Sequence, residues 1–68
     1  MSDQAEATLF ESLAVAYFSV AQQEKAIAEH YRGSDAAALS HGHELQAEKA
    51  KQRAKTAEAL AKILWEKA

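Results

Sequence analysis

The sequence predicts an all-α fold in which two long helices, joined by a tight turn, form an antiparallel hairpin as a single domain over residues 1–68. Proline is absent, and the only two glycines are Gly33 and Gly42. Alanine, glutamate, glutamine, lysine and leucine, all strong helix formers, make up most of the chain. Alanine also recurs at seven-residue intervals in both halves of the chain, which is the spacing of a contact line between helices.

Helix 1 is predicted over about residues 3–32. Asp3 stands where an N-cap is expected, and Glu6 follows three residues later, as in a capping box. Gly33 comes directly after the predicted helix and can adopt the left-handed backbone conformation that ends many helices. These signals place the turn of the hairpin near Gly33.

Helix 2 is predicted over about residues 35–67, with Ser34 or Asp35 as its cap. Gly42 would lie inside this helix, where a glycine costs about 1 kcal/mol relative to alanine. We expect the helix to continue through Gly42 because strong helix formers stand on both sides of it.

A seam of small residues is predicted where the two helices meet. Folding the chain back about Ser34 brings together residues whose numbers sum to about 68. In this register alanine meets alanine at three successive levels, and such small side chains let helix axes approach to roughly 8 Å. The predicted helix seam consists of Ala7, Ala14, Ala21, Ala47, Ala54 and Ala61.

Helix 1 has more apolar surface than this seam can cover. Its apolar positions span roughly 200° of the helix circumference at 100° per residue, so they need more than one neighbouring helix. The end of helix 2 adds another apolar cluster. We therefore expect two hairpins to dimerise into a four-helix bundle. The predicted oligomer core is Leu9, Phe10, Leu13, Tyr17, Val20, Ile27, Leu60, Ile63, Leu64 and Trp65.

Composition and charge argue against several functional classes. The chain has no cysteine, so disulfides and thiolate metal sites are excluded, and its net charge of −2 argues against a general nucleic-acid binder. No signal peptide and no apolar run of roughly 20 residues is recognisable, so we expect a cytoplasmic protein. The serines lack a positioned base and no glycine-rich phosphate loop is present, so we expect neither catalysis nor a cofactor.

The sequence thus predicts a small, non-catalytic helical module for protein interaction or assembly that acts as a homo-oligomer. Its expected partners are a second copy of the chain and another protein, rather than nucleic acid or a membrane. The positions predicted to form an exposed partner surface on helix 1 are Val15, Phe18, Gln22 and Lys25.

One alternative function is RNA binding. The chain length and the alanine seam resemble the Rop family of dimeric helical hairpins, which bind paired RNA loops. Phe18, Gln22 and Lys25 lie on one strip of helix 1 and are similar to the RNA-facing residues of that family. The resemblance implies an RNA-binding regulator.

A second alternative is a carboxylate–histidine metal site. In the stretch SHGHE (residues 40–44), His41 and Glu44 share a helix face, and Glu24 would lie opposite position 44 in the hairpin. A dimer would then supply four carboxylates and two imidazoles, the ligand set of di-iron four-helix bundles.

The stretch EKAIAEHY (residues 24–31) also resembles the Glu-x-x-Ala-x-x-x-Tyr run of ferritin-like helices, although the Glu-x-x-His order of that family is reversed here. Otherwise Glu24 would reach toward solvent near the open end or pair with Lys25 or with a lysine across the seam, and we expect pairing because a lone buried carboxylate is costly.

Overall fold

Two helices make up the structure, a computed structural model that describes residues 2–33 and 36–68. The first helix, α1, runs over Asp3–Tyr31, and the second, α2, runs over Ala37–Lys67. They pack side by side along their length. The predicted all-α helical hairpin is confirmed.

The N-terminal cap of α1 differs from the one predicted. Ser2, not Asp3, is the N-cap: its Oγ accepts a hydrogen bond of 3.2 Å from the N–H of Ala5. Asp3 is the first residue of the helix, where its carboxylate lies near the positive end of the helix dipole. The sequence favoured Asp3 because Glu6 follows three residues later, as in a capping box. Ser2, one residue earlier, also has a side-chain oxygen that can accept the capping hydrogen bond.

The turn begins at Arg32, whose N–H donates to the carbonyl oxygens of both Ala28 and Glu29. Gly33 follows with φ +84°, so the predicted left-handed glycine is confirmed. The predicted caps of the second helix, Ser34 and Asp35, lie outside the described residues.

The second helix has Ala36 as its N-cap and no side-chain cap hydrogen bond. It then continues through Gly42 to Lys67, as predicted. Gly42 has nothing within 4 Å of the position where a Cβ would stand, so no close packing requires a glycine there.

Alanine forms the interior of the hairpin. The buried apolar residues among those described are all alanines, and no large side chain among them is fully buried. Four belong to the predicted seam (Ala7, Ala14, Ala54 and Ala61), Ala28 continues its seven-residue spacing on α1, and Ala50 and Ala57 lie beside it on α2. Ala21 and Ala47 of the predicted seam are half-buried.

Among the described residues, Ser40 is the one polar residue buried in this interior. Its hydroxyl donates a 2.7 Å hydrogen bond across the hairpin to the carbonyl oxygen of Ala28. The numbers of these two residues sum to 68, so the register near the turn is the one predicted from the alanine spacing.

The hairpin is a single layer of two helices, measuring 52 × 13 × 12 Å. Its radius of gyration is 15.4 Å, against about 11 Å for a compact domain of this length. Its accessible surface is 4919 Å², about 700 Å² more than expected for a folded monomer of this mass. No stretch of either helix is long and apolar enough to cross a membrane, within the part of the chain that the structure describes.

Candidate association surface

One long side of the hairpin carries most of the large apolar side chains, and we call it the apolar face. On α1 its side chains stand one and four residues before each seam alanine, as Leu13 and Phe10 do before Ala14. On α2 its side chains are the neighbours of Ala50 and Ala57 on the helix surface. Near the middle of the molecule the two helices line a shallow groove on this side, from Phe10 to Leu60. The apolar face consists of Phe10, Leu13, Tyr17, Val20, Glu24, Ile27, Tyr31, His43, Arg53, Thr56, Leu60, Ile63 and Leu64.

These side chains are not buried within the hairpin. Leu13, Val20, Ile27, Leu60 and Ile63 are each between 38% and 49% exposed. Phe10, Tyr17 and Leu64 are half-buried, while Leu9, at the outer edge of this face, is exposed. The alanine seam holds the helices so close together that larger side chains have no space between them. The surface left open is therefore a row of large apolar groups in contact with water.

A polar pair interrupts this row near the turn. The Nδ1 of His43 lies 2.6 Å from the Oε2 of Glu24, and because a carboxylate only accepts hydrogen bonds, the histidine nitrogen is the donor. The ring of Tyr31 stacks on that of His43, with 6.0 Å between their centroids. Glu24 therefore pairs across the hairpin with a histidine, and the expected pairing with a lysine is wrong. The signal for His43 was its position in the sequence: it stands one turn before Ala47 and two turns before Ala50, on the side of α2 that faces Glu24.

The two helices contribute differently to the apolar face. The α1 half carries bulky side chains at almost every turn, whereas the middle of the α2 half carries Thr56 and Arg53, with Lys49 and Gln46 beyond them. The guanidinium of Arg53 lies 6.0 Å from the centre of the Tyr17 ring, so its charge lies over an aromatic surface. The α1 half is thus largely apolar, whereas the middle of the α2 half is polar and more basic.

The other side of the hairpin carries a groove of mixed charge, which we call the mixed-charge groove. It has a volume of about 520 Å³ and includes three of the four predicted partner residues, Phe18, Gln22 and Lys25. Val15 lies further around α1 and is 70% exposed. The groove is also lined by Arg32, His41, Glu44, Leu45, Glu48 and Lys51.

The residues considered for a metal site are divided between these two sides. Glu24 lies on the apolar face with His43, whereas His41 and Glu44 line the mixed-charge groove, where Glu44 pairs with Arg32 at 3.4 Å. Among the described residues no group of three histidine, aspartate or glutamate side chains is placed to hold a metal ion. Glu24 lies opposite position 43 rather than position 44, so the proposed ligand set is not brought together.

Trp65 is the member of the predicted oligomer core that lies elsewhere. Its indole Nε1–H donates to the carboxylate of Glu11, on the same side of the hairpin as the mixed-charge groove. Leu60 and Trp65 are five residues apart, or roughly 140° around the helix, so they face different directions. The prediction placed Leu60 and Trp65 in one cluster because they are close in the sequence.

No protein-family model, curated protein or solved structure matches this chain. Its function is therefore argued from the geometry of the two sides of the hairpin. The apolar face is the larger anomaly, because soluble monomers rarely leave a continuous row of large apolar side chains in water.

Proposed function

We propose that this protein is a non-catalytic assembly module that acts as a homodimer, with the apolar faces of two hairpins closing into a four-helix bundle. One observation carries the proposal. The buried apolar residues of the described chain are all alanines, while Leu13, Val20, Ile27, Leu60 and Ile63 remain exposed. A hairpin with so small an interior gains little from burial, since stability rises with the apolar area removed from water.

The surface area of the hairpin supports this proposal. A single chain exposes about 700 Å² more than a compact monomer of its mass. A protein–protein interface of standard size covers about 800 Å² on each partner. Closing the apolar face against a second copy would therefore bring the exposed surface of each chain into the ordinary range.

The composition of the two sides supports the choice of face. The mixed-charge groove contains Lys25, Lys51, Glu44 and Glu48, whose charges stay hydrated when they face water. In a bundle closed through the apolar face this groove stays on the outside, where it is accessible to a further protein. The hydroxyl of Ser40, next to His41, is buried in a structural hydrogen bond, which favours a non-catalytic role for this region.

The proposal is tested by comparing Leu13→Glu with Val15→Glu, two single substitutions that add the same charge to opposite sides of α1. By light scattering the wild-type protein is expected to have twice the 7.4 kDa mass of one chain. Leu13→Glu should be monomeric and should lose helical circular dichroism, because a charge on the apolar face opposes the contact that supplies the core. Val15→Glu should remain a helical dimer.

A well-folded wild-type monomer at micromolar concentration would contradict the proposal. So would equal loss of mass and helicity in the two variants, since that would show no preference for either side of α1.

A further inference from the structure

We infer that the two copies associate with their turns at the same end, so that α1 of each copy packs against α2 of the other. This inference rests on the proposed function and adds the orientation of the partner. Two hairpins meeting through one face can be related by a twofold axis along the helices, which places both turns together. Alternatively, the axis crosses the helices, which places the turns at opposite ends and packs α1 against its own copy.

The first observation is the separation of charge between the two halves of the apolar face. At the positions of α1 on this side and its edge, the ionisable residues are the carboxylates Asp3, Glu6 and Glu24, with His30 at the edge in the last turn. On the same side of α2, between Ala37 and Lys67, the ionisable residues are His43, Lys49, Arg53 and Lys67, and no carboxylate occurs there. Packing α1 against the second copy's α2 places opposite charges together, whereas packing like helices together, with the axis near Tyr17, would bring Lys49 of one copy opposite Arg53 of the other.

The separation of acidic residues on α1 from basic residues on α2 extends beyond the apolar face. Over Asp3–Tyr31, α1 contains five carboxylates and one lysine, whereas over Ala37–Lys67, α2 contains four carboxylates and six lysines or arginines. The net charge of α1 is therefore negative and that of α2 is positive. Contact between α1 and α2 of different copies is favoured along the whole length of the bundle.

The second observation is the change in polarity along the apolar face. Where Phe10 and Leu13 lie near Leu60 the side chains are apolar, whereas nearer the turn the face holds the Glu24–His43 pair. With the turns at opposite ends, this pair would be covered by the apolar stretch around the partner's Phe10, which removes water from polar groups without replacing its hydrogen bonds. With the turns together, apolar groups meet apolar groups, and the polar pair meets its own copy.

The orientation is tested by distances between spin labels in the dimer, measured by pulsed dipolar spectroscopy. The chain has no cysteine, so a single cysteine places one label on each copy. Ala5→Cys, Ser19→Cys and Ala26→Cys occupy equivalent positions at multiples of seven residues along α1, and all three are exposed. Light scattering of each labelled protein establishes its mass first.

An axis along the helices keeps equivalent points equally far apart, so we expect the three distances to agree within about 5 Å, less than four residues of helical rise. If the turns lay at opposite ends, with the axis near Tyr17, the axial separations would be roughly 36 Å at position 5, 6 Å at position 19 and 27 Å at position 26. A distance at position 5 that exceeds that at position 19 by about 15 Å or more would overturn the orientation while leaving the dimer in place. Labelled proteins with the mass of one chain and no dipolar signal would overturn the proposed function, and the orientation with it.

Discussion

At the scale of single residues, this protein depends on side chains that are small. Ala7 and Ala54 are fully buried, and Ala14, Ala57 and Ala61 nearly so. A methyl group contributes little buried area, so these positions act mainly by letting the helices approach closely. Their size is the property that matters.

Replacing Ala54 with leucine should therefore destabilise the protein by about 1–3 kcal/mol, because the extra atoms have no space in the seam. Ala59→Leu is the matched control, since Ala59 is exposed on the same helix and the two residue types have similar helix propensity. Urea denaturation at one protein concentration measures both. Similar midpoints for the two variants would show that the seam tolerates a larger side chain.

Ser40 is the polar residue of the interior, and its hydroxyl ties α2 to the last turns of α1. Ser40→Ala should cost about 1 kcal/mol for the lost hydrogen bond. The carbonyl of Ala28 would keep its bond from the N–H of Arg32, so no acceptor would be left without a partner. Ser12→Ala, an exposed change on α1, corrects for the gain in helix propensity. Equal unfolding free energies for the two variants would assign no stabilising role to the buried hydroxyl.

At the scale of the elements, the two glycines have opposite effects on the helices. Gly33 has φ +84°, a conformation that costs residues with a Cβ about 1–2 kcal/mol, and it lies in the turn that follows α1. Gly42 lies within α2 with open space where a Cβ would stand. The first glycine suits its backbone conformation, whereas the second weakens its helix.

The same substitution should therefore change stability in opposite directions at these two sites. Gly33→Ala should destabilise the hairpin by about 1 kcal/mol, because alanine disfavours the left-handed region. Gly42→Ala should stabilise it by about 1 kcal/mol, because alanine is the better helix former. Thermal unfolding followed by circular dichroism measures both, and a loss of stability at Gly42 would indicate that a second copy approaches that position closely.

At the scale of the whole molecule, the hairpin is an elongated single layer whose 52 Å length is about four times its thickness. Such a shape has no interior beyond the seam between its two helices. In the proposed dimer, another copy of the chain supplies a second layer.

If the proposed dimer supplies this layer, thermal stability depends on protein concentration. A tenfold increase in protein concentration raises the free energy of unfolding of a dimer by about 1.4 kcal/mol. Tm should therefore rise by about 5 °C for each tenfold increase. Val15→Glu should show the same dependence as the wild-type protein. A Tm that stays constant over a hundredfold range of concentration would indicate a monomer.

The sequence by itself determined the elements and their register. The absence of proline, the helix-forming composition and the spacing of Ala7, Ala14, Ala54 and Ala61 predicted two helices closed about Gly33. These are local or periodic properties, and they can be obtained from the spacing of 3.6 residues per turn. The continuation of α2 through Gly42 followed from the same propensities.

Only the tertiary structure decided which side chains meet. It paired Glu24 with His43 rather than with a lysine or with the groove residues His41 and Glu44, and it placed Trp65 beside Glu11 instead of with Leu60. One residue of register moves a side chain by 100° around its helix, so an approximate register predicts that two helices touch but not which polar groups bond. The capping residue Ser2 was missed for a related reason, since Ser2 and Asp3 offer the same oxygen chemistry and only the backbone conformation distinguishes them.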